Sequence, residues 1–268
     1  MLLTERLSDS WSATRLETGP RVAPGRGDAK LLAKCDRLER AIERLETSAA
    51  VGDEDVSPNR SRDNFRKAAA QVSALVEEVS QLAAQVPAAL KRKAEVTALS
   101  LVLCGSEPAP QVDGLIYSCI QDASRLLTVS SDDSLDSEET RNVEQISNCC
   151  MAAIERFRAD MIVLQEIDSP SSEEHQRIGD LSITDELIKN GVSELSNKPT
   201  RAAHSVKAKG KVWLSLLDLD QPECLHRREL SMSFCEDLQS ILPTARRGSS
   251  LLGWASSALG VLTSGKMR

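Results

Sequence analysis

Nucleophiles, general bases and metal ligands are scarce in this chain. His175, His204 and His226 lie in polar stretches, which is typical of solvated side chains. Cys224 and His226 form a Cys-x-His pair, but no second pair follows at the spacing of a zinc site. The sequence also lacks a phosphate loop, a dinucleotide-binding glycine pattern, a Gly-x-Ser-x-Gly elbow and a His-Glu-x-x-His motif. We therefore predict no catalytic, cofactor-binding or metal-binding residues, and an enzyme with a dispersed active site is the last alternative.

The cysteines indicate a reducing compartment. The chain has seven of them, an odd number, and the opening MLLTERLSDSW is charged by residue 5, unlike a signal peptide. Free cysteine behaves as a small hydrophobic residue, so burial in a core explains these positions. We predict a cytoplasmic or nuclear protein with reduced thiols.

Charge excludes one class of partner. Residues 131–139, SDDSLDSEE, carry no basic residue and lack calcium-loop spacing, which favours a solvated linker over an interaction site. The whole chain has 33 basic and 40 acidic residues, a net charge of -7. Phosphate neutralisation needs a basic face, so nucleic acid is not the expected partner.

Composition predicts an all-α fold. The chain of 268 residues is 41% hydrophobic but only 3% aromatic, and it holds 13 glycines and 10 prolines, which argues against a sandwich or barrel. Apolar residues recur at helical spacing in several segments, and these predict an up-and-down bundle of five to seven helices. We assign 1–28 to a disordered leader, 29–243 to the bundle and 244–268 to an amphipathic tail. The pattern is weakest over 170–210.

The clearest predicted helix follows the acidic loop. Its apolar face continues to Ser169 and Pro170 and includes Phe157, which we expect to be buried. The other apolar residues of that face are Val143, Ile146, Cys150, Ala153, Ile154, Met161 and Leu164.

The tail contains a second kind of amphipathic pattern. Helical winding of SSLLGWASSALGVL (249–262) places one group of large side chains on one side and Ser and Gly on the other, with basic residues flanking both ends. The large side chains are those of Leu251, Leu252, Trp254, Leu259 and Leu262. Such a face is typical of helices that lie on curved membranes, and the alternatives are a last helix packed on the bundle or a disordered end. Ser249 follows two arginines and is a candidate phosphoacceptor.

One stretch also resembles a known family. EVTALSLVLCGSEPAP (95–110), followed by VDGLIYSCIQDASRLLTV, is similar to the N-terminal region of the cyclin-D1-binding protein 1 family, in which a helix ends in a proline-containing loop before an apolar helix. The matching residues are Glu95, Thr97, Leu99, Pro108 and Pro110, then Thr140, Arg141 and Met151, and a Gly-x-Val-Trp segment at 210–213. The likeness covers about residues 60–240. The family continues into a second helical half after an acidic segment. This sequence departs from that pattern, since it ends about 50 residues after Trp213.

The resemblance implies a vinculin-like helical bundle without catalysis. Such a protein binds D-type cyclins or helix-loop-helix regulators in the nucleus and cytoplasm. Our first hypothesis is therefore a protein-interaction module that regulates the cell cycle. The second is a peripheral membrane adaptor tethered through 244–268.

Overall fold

Eight α-helices make up the regular structure in a computed structural model of the chain, which describes residues 25–50, 58–104, 110–127, 138–165, 172–217, 219 and 225–242. In chain order they are α1 (Arg26–Ala50), α2 (Pro58–Ser80), α3 (Pro87–Cys104), α4 (Pro110–Leu126), α5 (Glu138–Gln165), α6 (Ser172–Ser196), α7 (Ala203–Leu217) and α8 (Leu225–Ile241). These ranges contain no strand, and the all-α prediction is confirmed. Because α1 begins at Arg26, the last residues of the predicted leader are helical.

Proline sets several of the helix boundaries. Pro58, Pro87 and Pro110 are the first residues of α2, α3 and α4. A first-turn amide has no acceptor within its own helix, so the missing N–H of proline costs nothing there, and its fixed φ already suits the helix. These prolines therefore separate consecutive helices rather than kinking one long helix.

The helix count exceeds the five to seven predicted from the sequence, and the weakly patterned region explains why. α6 fills most of 170–210, but it buries Thr184 beside apolar residues such as Leu181. On the same helix, Ile183 and Leu187 are 62% and 59% exposed. Buried polar and exposed apolar side chains together obscure the apolar stripe from which an amphipathic helix is recognised.

The described helices form two four-helix halves. In the first half α1 and α4 each pack against both α2 and α3, and in the second half α5 and α8 pack in the same way against α6 and α7. The halves meet where α3 packs against α8 and α4 against α7. Exchanging the halves maps this set of contacts onto itself, which is the pattern of a pseudo-twofold axis.

The core positions repeat between the halves. The buried residues of α1 recur at the same intervals in α5: Leu31, Cys35, Leu38, Ile42 and Leu45 correspond to Val143, Ser147, Cys150, Ile154 and Phe157. In α2 and α6, Val72, Val76 and Val79 correspond to Ile188, Val192 and Leu195. Two four-helix units built to the same pattern therefore follow one another along the chain.

Phe157 is buried at 6% exposure, as the sequence predicted. We expect Phe157→Ala to lower the free energy of unfolding by about 3 kcal/mol, because it removes apolar contacts and leaves a cavity that the helices fill only in part. Urea denaturation measures the change, with Ala152→Ser on the exposed side of α5 as the control. An unchanged midpoint for Phe157→Ala would contradict the packing of α5.

Candidate functional site

Each half contains one lysine buried among the helices. In the first half, the Nζ atom of Lys93 on α3 donates hydrogen bonds to Asp122 Oδ2 at 2.8 Å and Ser118 Oγ at 2.6 Å, both on α4. Its third hydrogen bond goes to the carbonyl oxygen of Leu82, just after α2, at 2.7 Å. Asp122 Oδ2 also accepts the amide of Ala84 at 2.9 Å. One ion pair thus joins the end of α2, the next link, α3 and α4.

The second half repeats this arrangement with the same types of partner. Lys209 Nζ donates to Asp237 Oδ2 at 2.6 Å, Ser233 Oγ at 2.7 Å and the carbonyl oxygen of Lys198 at 2.6 Å. Asp237 accepts the amide of Thr200 at 2.9 Å. In both halves the carbonyl lies 11 residues before the lysine. We call these two groups the lysine anchors.

The lysine anchors are saturated and closed to solvent. The side chains of Lys93 and Lys209 are both 0% exposed, and each ammonium uses its three donor hydrogens on the three acceptors named above. Burial lowers the pKa of Lys209, while the Asp237 carboxylate beside it acts in the opposite direction. With no free donor and no opening, each anchor serves to hold helices in register.

A comparison of the sequence with itself would have found these residues. The segments 90–96 and 206–212 share a Lys-x-Lys-small-x-Val pattern, in which Lys93 and Lys209 are the second lysines. The segments 115–122 and 230–237 share Leu-x-x-Ser-x-x-x-Asp. Apolar periodicity is a property of each helix by itself, so it does not reveal that two segments of the chain share the same pattern.

The outer surface of the α1–α2 hairpin is basic. A shallow groove of about 310 Å³ is lined by Arg37, Arg40 and Arg44 of α1 and Gln71 of α2. The arginines recur at about one-turn intervals, so the three guanidinium groups follow one side of α1. All four lining residues are exposed.

The equivalent surface of the α5–α6 hairpin has a different character. A groove of about 780 Å³ runs between the two helices, and we call it the α5–α6 groove. Cys149 and Leu187 stand in it at the positions that Arg37 and Gln71 hold in the other hairpin. Its full lining is Glu138, Arg141, Asn142, Gln145, Ile146, Cys149, Cys150, Ala153, Leu187, Asn190, Gly191 and Glu194.

A glycine forms the floor of this groove. A Cβ atom on Gly191 would collide with Cys150 Sγ of the facing helix, whereas the equivalent residue of α2 is the buried Leu75. The absence of a side chain lets α5 and α6 approach closely at this point.

Exposed apolar side chains concentrate on the same hairpin. Among the described residues, seven large apolar side chains are exposed, and five of them belong to α5 or α6: Ile162, Val163, Ile178, Ile183 and Leu187. The other two are Phe65 and Tyr117, on α2 and α4. Of these five, Leu187 lines the α5–α6 groove, whereas Ile162, Val163 and Ile178 lie towards the other end of the hairpin. Exposed apolar side chains concentrated on one hairpin are typical of an interaction site.

The residues selected from the tail cannot be placed by this structure. Leu251, Leu252, Trp254, Leu259, Leu262 and Ser249 lie outside the described residues, as does Cys224. Of the histidines, only His204 has a described side chain, and its ring contacts the carboxylate of Glu144. Within the described ranges there is no cluster of His, Cys, Asp and Glu that could hold a metal ion, and no helix long and apolar enough to cross a membrane.

The described cysteines differ sharply in accessibility. Cys35, Cys119, Cys150 and Cys235 are buried, whereas Cys149 is exposed in the α5–α6 groove. Burial raises the pKa of Cys35 to about 12 and those of Cys119 and Cys150 to about 11. A thiol must lose its proton to act as a nucleophile, so raised pKa values add to the steric protection.

We therefore expect Cys150 to be alkylated at least ten times more slowly in the folded protein at pH 8 than in the denatured protein. Peptide mass spectrometry after timed exposure to iodoacetamide measures both rates. A denatured sample prepared without reductant should take up reagent at all seven cysteines, as expected for a protein of a reducing compartment. A Cys150 rate in the folded state equal to that in the denatured state would contradict the burial of Cys150.

Comparison of the chain with protein-family models, curated proteins and solved structures found no match.

Proposed function

We propose that this chain is a non-catalytic protein-interaction module that binds an amphipathic helix of a partner protein in the α5–α6 groove. The observation that supports it is the concentration of exposed Ile and Leu side chains on this one hairpin. A groove between two helices that offers apolar side chains among polar ones can accept the apolar face of a third helix, whose anchoring residues are spaced at i, i+3, i+4 and i+7. Leu187 and Ile183, one turn apart, would provide the contact area for those anchors.

Charge narrows the class of partner. Helices α5 and α6 together carry eleven acidic and five basic residues. A partner helix with basic residues flanking its apolar face would approach this hairpin faster and in one orientation. The resemblance to the cyclin-D1-binding protein 1 family makes a D-type cyclin or a helix-loop-helix regulator the first partner to test, in the nucleus or cytoplasm.

The basic hairpin gives the proposal its specificity. At the corresponding surface of α1 and α2, Arg37 and Gln71 stand in place of Cys149 and Leu187, with Arg40 and Arg44 beside them, so a basic helix would meet like charge there. The duplicated architecture would therefore hold such a partner on only one of its two hairpins.

We predict that the double substitution Ile183→Glu/Leu187→Glu weakens partner binding at least tenfold without changing the thermal midpoint. Both side chains are mostly exposed, so their loss removes contact area for the partner and little of the core. The matched control is Phe65→Glu, an exposed apolar residue of the other hairpin, which should leave the affinity unchanged.

Isothermal titration calorimetry with purified D-type cyclin, a purified helix-loop-helix regulator and a synthetic Leu/Lys amphipathic helix measures the affinity. A Leu/Glu peptide of the same apolar pattern serves as the charge control and should bind more weakly. Equal binding of all ligands to the wild-type protein and the double variant would refute the proposal.

A further inference from the structure

The last turn of α8 lies at the same end of the second half as the Glu138–Glu194 end of the α5–α6 groove, and the carbonyl of Leu242 accepts a hydrogen bond from Lys91 on α3 at 3.0 Å. Near the end of α8, Asp237 accepts the amide of Thr200 and pairs with Lys209, which also binds the carbonyl of Lys198. Residues 198 and 200 directly follow α6, so the last turn of α8 lies at the C-terminal end of α6. The lining of the groove includes Glu194 at that end of α6 and Glu138 at the start of α5.

The lengths of the following segments suit this position. The link 243–248 can span at most about 20 Å, enough to reach a neighbouring helix pair. Wound as a helix, 249–262 would be about 21 Å long, and the part of α5 that lines the groove, from Glu138 to Ala153, has about the same length.

The chemistry of the two surfaces is also complementary. The segment 249–262 has a large apolar face, while four basic residues and no acidic residue occur in 244–268: Arg246, Arg247, Lys266 and Arg268. The hairpin offers exposed apolar side chains on helices in which acidic residues outnumber basic ones. Apolar faces would be removed from water on both sides, and opposite charges would meet around them.

From reach, length and charge we infer that the segment 244–268, which lies outside the described residues, is an internal competitor for the α5–α6 groove. In this proposal the apolar side of 249–262, which includes Trp254 and Leu259, packs against Leu187 and Cys149. This inference rests on the proposed function, because it names the regulation of the same groove. A partner helix then binds only by displacing the segment.

Ser249 gains a role in this arrangement. It lies between the basic pair Arg246-Arg247 and the apolar face, at the end of the segment that would meet the acidic hairpin. A phosphate there adds negative charge and three acceptor oxygens that favour the neighbouring arginines over the groove. Phosphorylation of Ser249 would therefore release the segment and open the groove to a partner.

Cys149 reports whether the groove is occupied. In the full chain we expect Trp254→Glu/Leu259→Glu to raise its alkylation rate by iodoacetamide at least tenfold, since the apolar face no longer covers the thiol. Ser256→Glu, on the opposite face of the same segment, is the matched control and should leave the rate unchanged. The buried Cys150 monitors the fold, because its rate rises only if the hairpin opens. A synthetic 244–268 peptide added to the double variant should restore protection, and a phosphoserine at 249 should abolish that rescue.

Equal Cys149 rates in the wild-type chain, the double variant and the control would overturn the inference. Protection that grows with protein concentration would overturn it too, because a second copy would then be the occupant. So would a fast wild-type rate together with vesicle-induced helicity of the 244–268 peptide, because the tail would then be a membrane segment. Failure of the inference is distinguishable from failure of the proposed function. If only the inference fails, the Leu/Lys helix still binds the Trp254→Glu/Leu259→Glu variant. If the proposed function fails, the Leu/Lys helix does not bind that variant.

Discussion

Replacing Asp122 and Asp237 together with alanine leaves the chain largely unfolded at 25 °C. Each single substitution removes the counter-charge of a fully buried ammonium, which costs about 3 to 5 kcal/mol. The two sites lie in different halves and share no partner, so their effects add. Their sum, about 6 to 10 kcal/mol, is comparable to the whole stability of a typical protein. Circular dichroism during urea denaturation measures each variant.

A variant that removes both charges of one anchor separates the cost of an unpaired buried charge from the cost of losing the hydrogen bonds. Lys93→Met/Asp122→Asn removes both charges of the first anchor but keeps an oxygen to accept the amide of Ala84. We expect it to be clearly more stable than Asp122→Ala, because no buried charge is left without a partner. Glu43→Ala, at an exposed carboxylate of α1, is the background control. If Asp122→Ala were no more destabilising than Glu43→Ala, the first lysine anchor would not stabilise the packing of α2, α3 and α4.

Trp213→Ala is the second substitution with a large expected effect, a loss of about 4 to 5 kcal/mol. Trp213 is the largest fully buried side chain among the described residues, and its indole N–H donates to Ser231 Oγ on α8 at 2.8 Å. Truncation to alanine removes the apolar area, leaves a large cavity and deprives the hydroxyl of its indole donor.

Trp213→Phe is the graded control, since it keeps most of the apolar volume and loses only the indole donor and part of the ring. We expect it to cost less than half as much as the alanine variant. Thermal denaturation followed by far-ultraviolet circular dichroism ranks the three proteins without relying on tryptophan emission. A midpoint for Trp213→Ala within a degree of the wild type would contradict the burial of this residue.

The composition and the helical spacing of apolar residues were sufficient to predict the fold class and part of the core. Phe157 and Ile154 recur at helical spacing, and both are buried in α5. The same reasoning gave too few helices around α6, because Thr184 is buried while Ile183 is exposed. Apolar spacing records which residues can share a face, but it does not say whether a neighbouring helix covers that face.

The α5–α6 groove depends on this missing information. Leu187 is one turn from Ile183 and next to the buried Ile188, so sequence alone gives no reason to expect 59% exposure for the first and burial for the last. The charges of the acidic segment before α5 are evident from the sequence. The exposed apolar surface of α5 and α6 can be identified only from the packing of the helices.

The repeated architecture has a consequence for valence. The chain presents one hairpin shape twice, but arginines line the first groove, whereas the lining of the second combines apolar side chains such as Leu187 with the carboxylates of Glu138 and Glu194. A ligand with two identical arms therefore meets one matching surface and one mismatched surface, and it gains no avidity from the second arm. A tether that joins one acidic arm and one basic amphipathic arm is the bivalent ligand whose two ends this protein could tell apart.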